Sequence, residues 1–259
     1  MSGGLGLTGK RAVVVGLANK HSLAFAIAST LQSHGCEVGI VSAPVSFERA
    51  AKAISLLPEQ PSFHVACDVA QPDDMARLGD LAPMDCVVHS VAYASPDALT
   101  KPFATTTPDA FMQSMLISSH SLVGLVQNLS LNPGASIVAL SYLGAVKAIP
   151  NYNIMGPAKA ALEATCRALA LELGPRNIRV NAVSAGPVNT LSARGIPGIS
   201  KMRQYVVDAA PLQRNITPEE VANATAFLCS PLASGMTGQT IYVDGGMSSI
   251  AMVAPNSGT

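Results

Sequence analysis

Hydrophobic and polar positions along this chain fall into two alternating patterns. Short apolar runs, many of them β-branched, end at Gly, Ser or Pro, and between them lie longer stretches with apolar residues every third or fourth position. The short runs predict strands at Val13–Val15, Glu37–Val41, Ser62–Cys67, Cys86–Ser90, Ser136–Ser141, Arg179–Val183 and Thr240–Val243. The longer pattern predicts helices at Ser22–Ser33, Ser46–Ser55, Pro72–Leu81, Thr107–Asn128, Tyr152–Leu173, Ile199–Ala209 and Pro218–Cys229. Strand and helix alternate throughout, which predicts an α/β fold: a doubly wound, Rossmann-type parallel sheet with helices on both faces. A chain of 259 residues suits a single domain of this kind, 1–259, and no internal repeat or linker divides it.

Composition sharpens this picture. Hydrophobic residues make up 49% of the chain and charged residues only 12%, against about 25% charged in an average soluble domain. Such a surface is expected to be covered in part by other subunits. Lys+Arg and Asp+Glu both number 16, so nothing points to nucleic acid or a membrane as partner. The five cysteines show no C-x-x-C or metal-type spacing and read as reduced core residues, with no metal site. MSGGLGLTGK lacks an apolar leader core, and no apolar run reaches the ~18 residues of a membrane span, so a cytoplasmic location is expected. The closing AMVAPNSGT is small and polar, a short flexible tail.

In a doubly wound sheet, ligands bind at the carboxyl ends of the strands. After the first strand comes GLANKHSLAFAIA, which has no G-x-G-x-x-G but keeps Gly16 at the turn, a small Ala18, and Ser22 and Leu23 at a helix start. Free N–H groups there would favour a pyrophosphate, although an ordinary strand-to-helix turn needs the same residues. The second strand ends in Ser42, Ala43 and Pro44, with neither the acid that holds an adenine ribose nor an arginine for a 2′-phosphate. Arg49 and Lys52 come later, on a predicted helix. NADH is therefore expected in preference to NADPH. Asp68 and Val69 follow the third strand, where Asp68 suits an adenine amino group or a turn. Ser90, Val91 and Ala92 follow the fourth, and their small size would admit a ribose or nicotinamide. His89 reads as a packed strand-end residue.

The chemistry is concentrated in SYLGAVKAIPNYNIMGPAK, residues 141–159, which holds Tyr142, Tyr152 and Lys159. On one helix, seven steps of about 100° return to within about 20° of the starting direction, so Tyr152 at the helix mouth and Lys159 would share a face. Pro157 lies between them and is tolerated only near a helix start, so the helix is expected to begin at about Asn153–Gly156.

Together, TGKRAVVVGLANKHSLAFAIA, CDVA, HSVAYA, LNPGASIVALSYLGAVKAIPNYNIMGPAKAALEA, RVNAVSAGPVNTL and FLCSPLASGMTGQTIYVDGG resemble the enoyl-acyl-carrier-protein reductases, a divergent branch of the short-chain dehydrogenase/reductases. The resemblance covers nearly the whole chain. Ordinary members of the superfamily carry Tyr-x-x-x-Lys with a serine upstream; here six residues separate Tyr152 from Lys159, and Ala139 stands where that serine is expected. One departure is Ala92 before Tyr93, where the family often has glycine.

The resemblance implies reduction of trans-2-enoyl thioesters, carried on acyl carrier protein, with hydride from NADH. It implies catalytic roles for Tyr152, as donor to the enolate oxygen, for Lys159, which holds the nicotinamide ribose and favours electron-rich states of the phenol, and for Tyr142 near the carbonyl or acyl tail. Ser141, Ala185, Gly186, Pro187, Val188 and Thr190 join the cofactor set; Ala94, Leu99, Met155, Ile196, Ile199 and Met202 join the two tyrosines in the substrate set. A lid is expected over about residues 191–210, and Arg194, Lys201 and Arg203 could steer the acidic carrier protein. Two other readings share much of the pattern: a 3-oxoacyl or carbonyl reductase of the wider superfamily, and a non-catalytic dinucleotide sensor.

Overall fold

The computed structural model describes residues 4–190 and 197–251. Arg194, Ile196 and most of the C-terminal tail therefore lie outside the described residues, as does the first part of the expected lid. Strands β1 (Arg11–Val15), β2 (Glu37–Ser42), β3 (His64–Ala66), β4 (Met84–His89), β5 (Leu131–Ser141), β6 (Arg179–Ala185) and β7 (Thr240–Val243) form one sheet of order β3-β2-β1-β4-β5-β6-β7. Every adjacent pair is parallel. The helices are α1 (Leu23–Ser33), α2 (Phe47–Ile54), α3 (Pro72–Ala76), α4 (Pro96–Thr100), α5 (Pro108–Met115), α6 (Ser121–Asn128), α7 (Met155–Leu173), α8 (Ile199–Ala209) and α9 (Pro218–Cys229).

Because the sheet is covered on both sides, its strands are apolar at successive positions. Ala12, Val14, Val38, Ile40, Val88 and Val138 join α1 and α9 in one core, while Val13, Val15, Val87, Ile137 and Ala139 join α6 and α7 in the other. All five cysteines are buried and unpaired. Burial lifts the thiols of Cys36 and Cys166 to about 12, so they remain protonated, unreactive core side chains. Among the described residues there is no metal-type cluster, and no helix is long and apolar enough to cross a membrane.

The observed elements depart from the pattern in four places. The predicted helix at 107–128 is α5 and α6 joined by a π turn, Leu116–His120. In that turn Ser118 accepts the Tyr93 N–H at 2.9 Å and donates to the Tyr93 carbonyl at 3.1 Å, tying it to the loop after β4. The predicted helix at 72–81 becomes a 3₁₀ turn from Arg77. Helix α4 was not anticipated, because five residues are too few to show a helical period. Finally, β5 starts at Leu131, and its pairing with β4 slips between Met84 and Cys86, leaving Gly134 at φ +81° in an irregularity that apolar alternation cannot reveal.

This topology creates one crevice of consequence. β1 lies between β2 and β4, so the chain leaving β1 turns one way and the chain leaving β4 the other. At that switch point the Gly16 N–H donates to the Val41 carbonyl at 2.8 Å, and the Ser90 N–H to the Val15 carbonyl at 2.9 Å. Gly16 has φ +106°, and a Cβ there would sit 2.2 Å from the Ser90 carbonyl oxygen. Only glycine lets the two loops meet so closely.

Candidate active site

Tyr152 is fixed by a turn, not by the helix. Asn151 and Asn153 on either side have φ of 62° and 43°, left-handed conformations that asparagine tolerates better than most residues. Their side chains hold the turn in place: Asn151 Nδ2 donates to the Pro197 carbonyl at 3.0 Å, and Asn153 Nδ2 to the Leu99 and Lys101 carbonyls at 2.9 and 3.0 Å. Helix α7 begins at Met155, within the range that Pro157 requires, and Pro157 falls in its first turn, where a missing N–H costs no helical bond. Helical periodicity therefore does not align Tyr152 with Lys159. Tyr152 precedes the helix, and the two asparagines set its direction.

The phenol is held from the other side by the turn after β5. A Cβ on Gly144 would lie 2.3 Å from Tyr152 Cδ1, so the backbone packs directly on the ring. Tyr142 meets Tyr152 edge to face, with ring centroids 4.7 Å apart and planes at 60°. Burial, with the Asp244 charge adding to it, pushes the Tyr142 phenol up to about 12. Tyr152 is raised further, chiefly by burial and then by Tyr142. Both are therefore neutral O–H donors at physiological pH.

Lys159, one turn into α7, is 5% exposed. Its ammonium donates to the Leu140 carbonyl at 2.7 Å and to the Val91 carbonyl at 3.3 Å, bridging the ends of β5 and β4. Burial brings its pKa down to about 8, against the opposing pull of Cys166 and Glu163. Behind it, His89 Nε2 pairs with Ser121 Oγ at 2.7 Å. Burial and then the Lys159 charge lower that imidazole to about 3, so it is neutral, a packed strand-end histidine as the sequence suggested.

Above these groups lies a cavity of about 520 Å³. It gathers most of the sequence-predicted site: Leu23, Ala92, Ala94, Leu99, Ser141, Tyr142, Tyr152, Met155, Ala185, Gly186, Pro187, Val188, Thr190, Ile199 and Met202 all line it. A second, largely apolar cavity of about 540 Å³ shares Tyr142, Gly186, Pro187 and Met202 and extends along Ile149, Tyr205 and Met247. Gly16, Ala18, Ser22, Ala43, Asp68, Val69, Ser90, Val91 and Lys159 do not line the first cavity; all but the lysine follow the ends of β1 to β4. Ser22 caps α1, accepting the Phe25 N–H at 3.2 Å. Asp68 Oδ1 accepts the Ala70 N–H at 3.0 Å, so part of its carboxylate serves a turn. Arg49, on α2, reaches back to the Ala18 carbonyl at 3.1 Å.

The switch-point crevice fits a dinucleotide. Gly16 lets the loops after β1 and β4 close together, and Ala18, Ala43 and Ala92 keep neighbouring positions small. The lysine ammonium has three N–H groups and spends two of them on carbonyls.

Comparison with known proteins agrees with this geometry. The model of a family described as enoyl-(acyl carrier protein) reductase matches residues 16–248. The chain belongs to the enoyl-acyl-carrier-protein reductase family. It is 44% identical to the NADH-named family member of Nostoc over 96% of this chain and 100% of that one. It is 40% identical to the NADPH-named member of Staphylococcus aureus, over 95% of this chain and 99% of that one. The crystal structure of the Bacillus cereus reductase with NADP+ and indole naphthyridinone superimposes with a TM-score of 0.91 at 36% identity, over 95% of this chain and 99% of that one.

Within this reductase fold, four residues at the site escaped the sequence reading. Tyr93, Pro96 and Thr100 line the cavity, on or next to the unanticipated α4. Glu163 is buried at 5% exposure and accepts a 2.5 Å hydrogen bond from Ser141 Oγ, so the Ser141 hydroxyl points toward α7. Its signal was the Lys-x-x-x-Glu spacing in KAALE, which reads more readily as a solvated ion pair on an exposed helix face.

Proposed function

We propose that this chain reduces the C=C bond of trans-2-enoyl thioesters on acyl carrier protein, with NADH preferred, as a cytoplasmic enzyme of fatty acid biosynthesis. The observation that carries the reading is the pair of neutral phenols, Tyr142 and Tyr152, edge to face in an apolar cavity.

The nicotinamide, when bound, supplies the hydride that reaches the β-carbon. Gly16, Ala18, Ser22, Leu23, Ala43, Asp68, Val69, Ser90 and Val91 would hold the adenosine and pyrophosphate. Ala185, Gly186, Pro187, Val188 and Thr190 would flank the nicotinamide, with Ala92 and Ser141 opposite. Lys159 would give its third N–H to a ribose hydroxyl. As negative charge develops on the thioester oxygen, Tyr152 donates a hydrogen bond from its O–H to it, and a proton taken up at the α-carbon completes the reduction. A fixed donor in a dry cavity stabilises that charge far better than water does. Tyr142 braces the Tyr152 ring and closes the cavity on the tail side. Ala94, Leu99, Met155, Ile199 and Met202 give the acyl chain apolar walls, and the second cavity offers room beyond Tyr142. The lid reading of residues 191–210 rests on α8 alone, whose Ile199 and Met202 face the first cavity.

The absence of an acid or arginine directly after β2 supports NADH. Relatives named for either cofactor make the comparison with NADPH essential. Lys201, exposed at the rim of the second cavity, supports a docking role toward an acidic carrier protein. Met112, Leu116 and Leu171 are 67%, 38% and 84% exposed on α5, the adjoining π turn and α7. Apolar side chains of that size on neighbouring helices support a homotetramer.

Oxidation of NADH and NADPH with crotonyl and longer enoyl thioesters, beside acetoacetyl thioester, tests the reading. Enoyl turnover favouring NADH is expected, and Tyr152→Phe should lower kcat by ~10²-fold or more, the typical worth of one transition-state donor, with cofactor affinity unchanged. Activity confined to the ketone would instead make the chain a 3-oxoacyl reductase, and tight NAD binding without turnover a sensor. Lys201→Glu should raise KM for carrier-bound but not coenzyme-A-bound substrate; equal effects on both would remove the docking role. Sedimentation equilibrium should give the mass of four chains, and a monomer would refute the tetramer.

A further inference from the structure

Two side chains of α7, one turn apart, grip consecutive residues at the end of β5. Lys159 takes the Leu140 carbonyl at 2.7 Å, and Glu163 takes the Ser141 hydroxyl at 2.5 Å. Tyr142 comes next in the chain. Its ring must be placed against Tyr152, and the last fixed points before it are these two bonds. Lys159 and Glu163 are both 5% exposed, yet no ion pair within 4.0 Å joins Lys159 to a carboxylate among the described residues. The carboxylate therefore acts on the ammonium across space, through a poorly polarisable interior where charge carries further than in water.

We propose that Glu163 is a positioning residue of the reductase site, fixing the β5 end through Ser141 and serving as the remote counter-charge that keeps Lys159 protonated.

The other titratable groups around Lys159 cannot supply that charge. On its own helix, Cys166 is a buried thiol pushed up to about 12. From β4, His89 is neutral, its pKa lowered to about 3. From the turns after β5 and before α7 come Tyr142 and Tyr152, both protonated phenols. The remaining group is the Glu163 carboxylate, whose effect on the lysine opposes that of burial. Lys159 holds its proton below about pH 8 and loses it above. Removing the carboxylate takes away a favourable interaction with the charged form, so the proton is then lost at lower pH.

The proposal rests on the reading that Lys159 holds the nicotinamide cofactor, and NADH affinity is the readout that separates the two. NADH binding is followed by fluorescence titration from pH 6 to 10 for wild type, Glu163→Gln, Glu163→Asp and Ser141→Ala. Wild-type affinity should fall through a midpoint near pH 8, the value at which Lys159 loses its proton. In Glu163→Gln, which keeps an acceptor for Ser141 but no charge, the midpoint should move down by about one unit, the low end of a nearby opposite charge's effect. Glu163→Asp and Ser141→Ala keep the charge and should keep the midpoint, while kcat falls because Tyr142 is less well held. An unmoved midpoint in a folded Glu163→Gln overturns the proposal. So does a lowered midpoint in Glu163→Asp, which tests the charge even if the glutamine variant does not fold. Wild-type affinity that is flat across this range overturns the assignment of Lys159 itself, and the proposal with it.

Discussion

A buried ammonium organises this site. Lys159 sits in a nearly water-free space between α7 and the sheet, and its charge is compensated by the carbonyls of Leu140 and Val91, not by a contacting carboxylate. Desolvating an ammonium costs several kcal/mol unless its N–H groups are satisfied. That requirement forces the ends of β4 and β5 to converge on one point of α7. The loop after β4 and the turn after β5 are thereby brought to the same cavity, and these are the segments that carry Ala92, Tyr93, Ser141 and Tyr142.

The other features follow as accommodations to that point. Tyr152 cannot ride on α7 and also face Tyr142, so the chain makes a left-handed turn through Asn151 and Asn153 before the helix begins. Gly144 allows the ring to lie flat against the backbone. Pro157 then fits at no cost, because α7 has only just started. The phenols stay protonated because the same apolar packing that shapes the cavity disfavours phenolate. A protonated phenol is what an incipient enolate oxygen needs from its neighbour.

Most of the fold was legible because it depends on local pattern. RAVVV and KHSLAFAIASTL announce a strand and a helix on their own terms, and their alternation leaves few topologies. Ala92, Ser141 and Ala185 were legible because they lie at strand ends, which the sheet delivers to one edge; Leu99, Met155, Ile199 and Met202 came from the family resemblance. The missed features all depend on distant partners. Helix α4 is too short to have a period, the π turn is set by Ser118 bonding to Tyr93, and Glu163 looks like a surface residue until Ser141 is brought across from β5. The direction of Tyr152 is not legible in the sequence, since two left-handed asparagines leave no mark in hydrophobic periodicity. The absence of an acid after β2 was legible too, but it describes what the adenosine end lacks; Arg49 lies against the Ala18 carbonyl at that end and was read only as a helix residue.

In the proposed reduction of a carbon–carbon double bond, Tyr152 answers the charge on the thioester oxygen. The most direct measurement is the fate of the transferred hydrogen. NADH carrying deuterium at the transferred position of the nicotinamide, incubated with an enoyl thioester, should yield a saturated acyl thioester bearing one deuterium on its β-carbon, as read by NMR and mass spectrometry. Deuterium found only on the carbinol carbon of a 3-hydroxyacyl product formed from a ketone, with the enoyl thioester returned unchanged, would contradict the account.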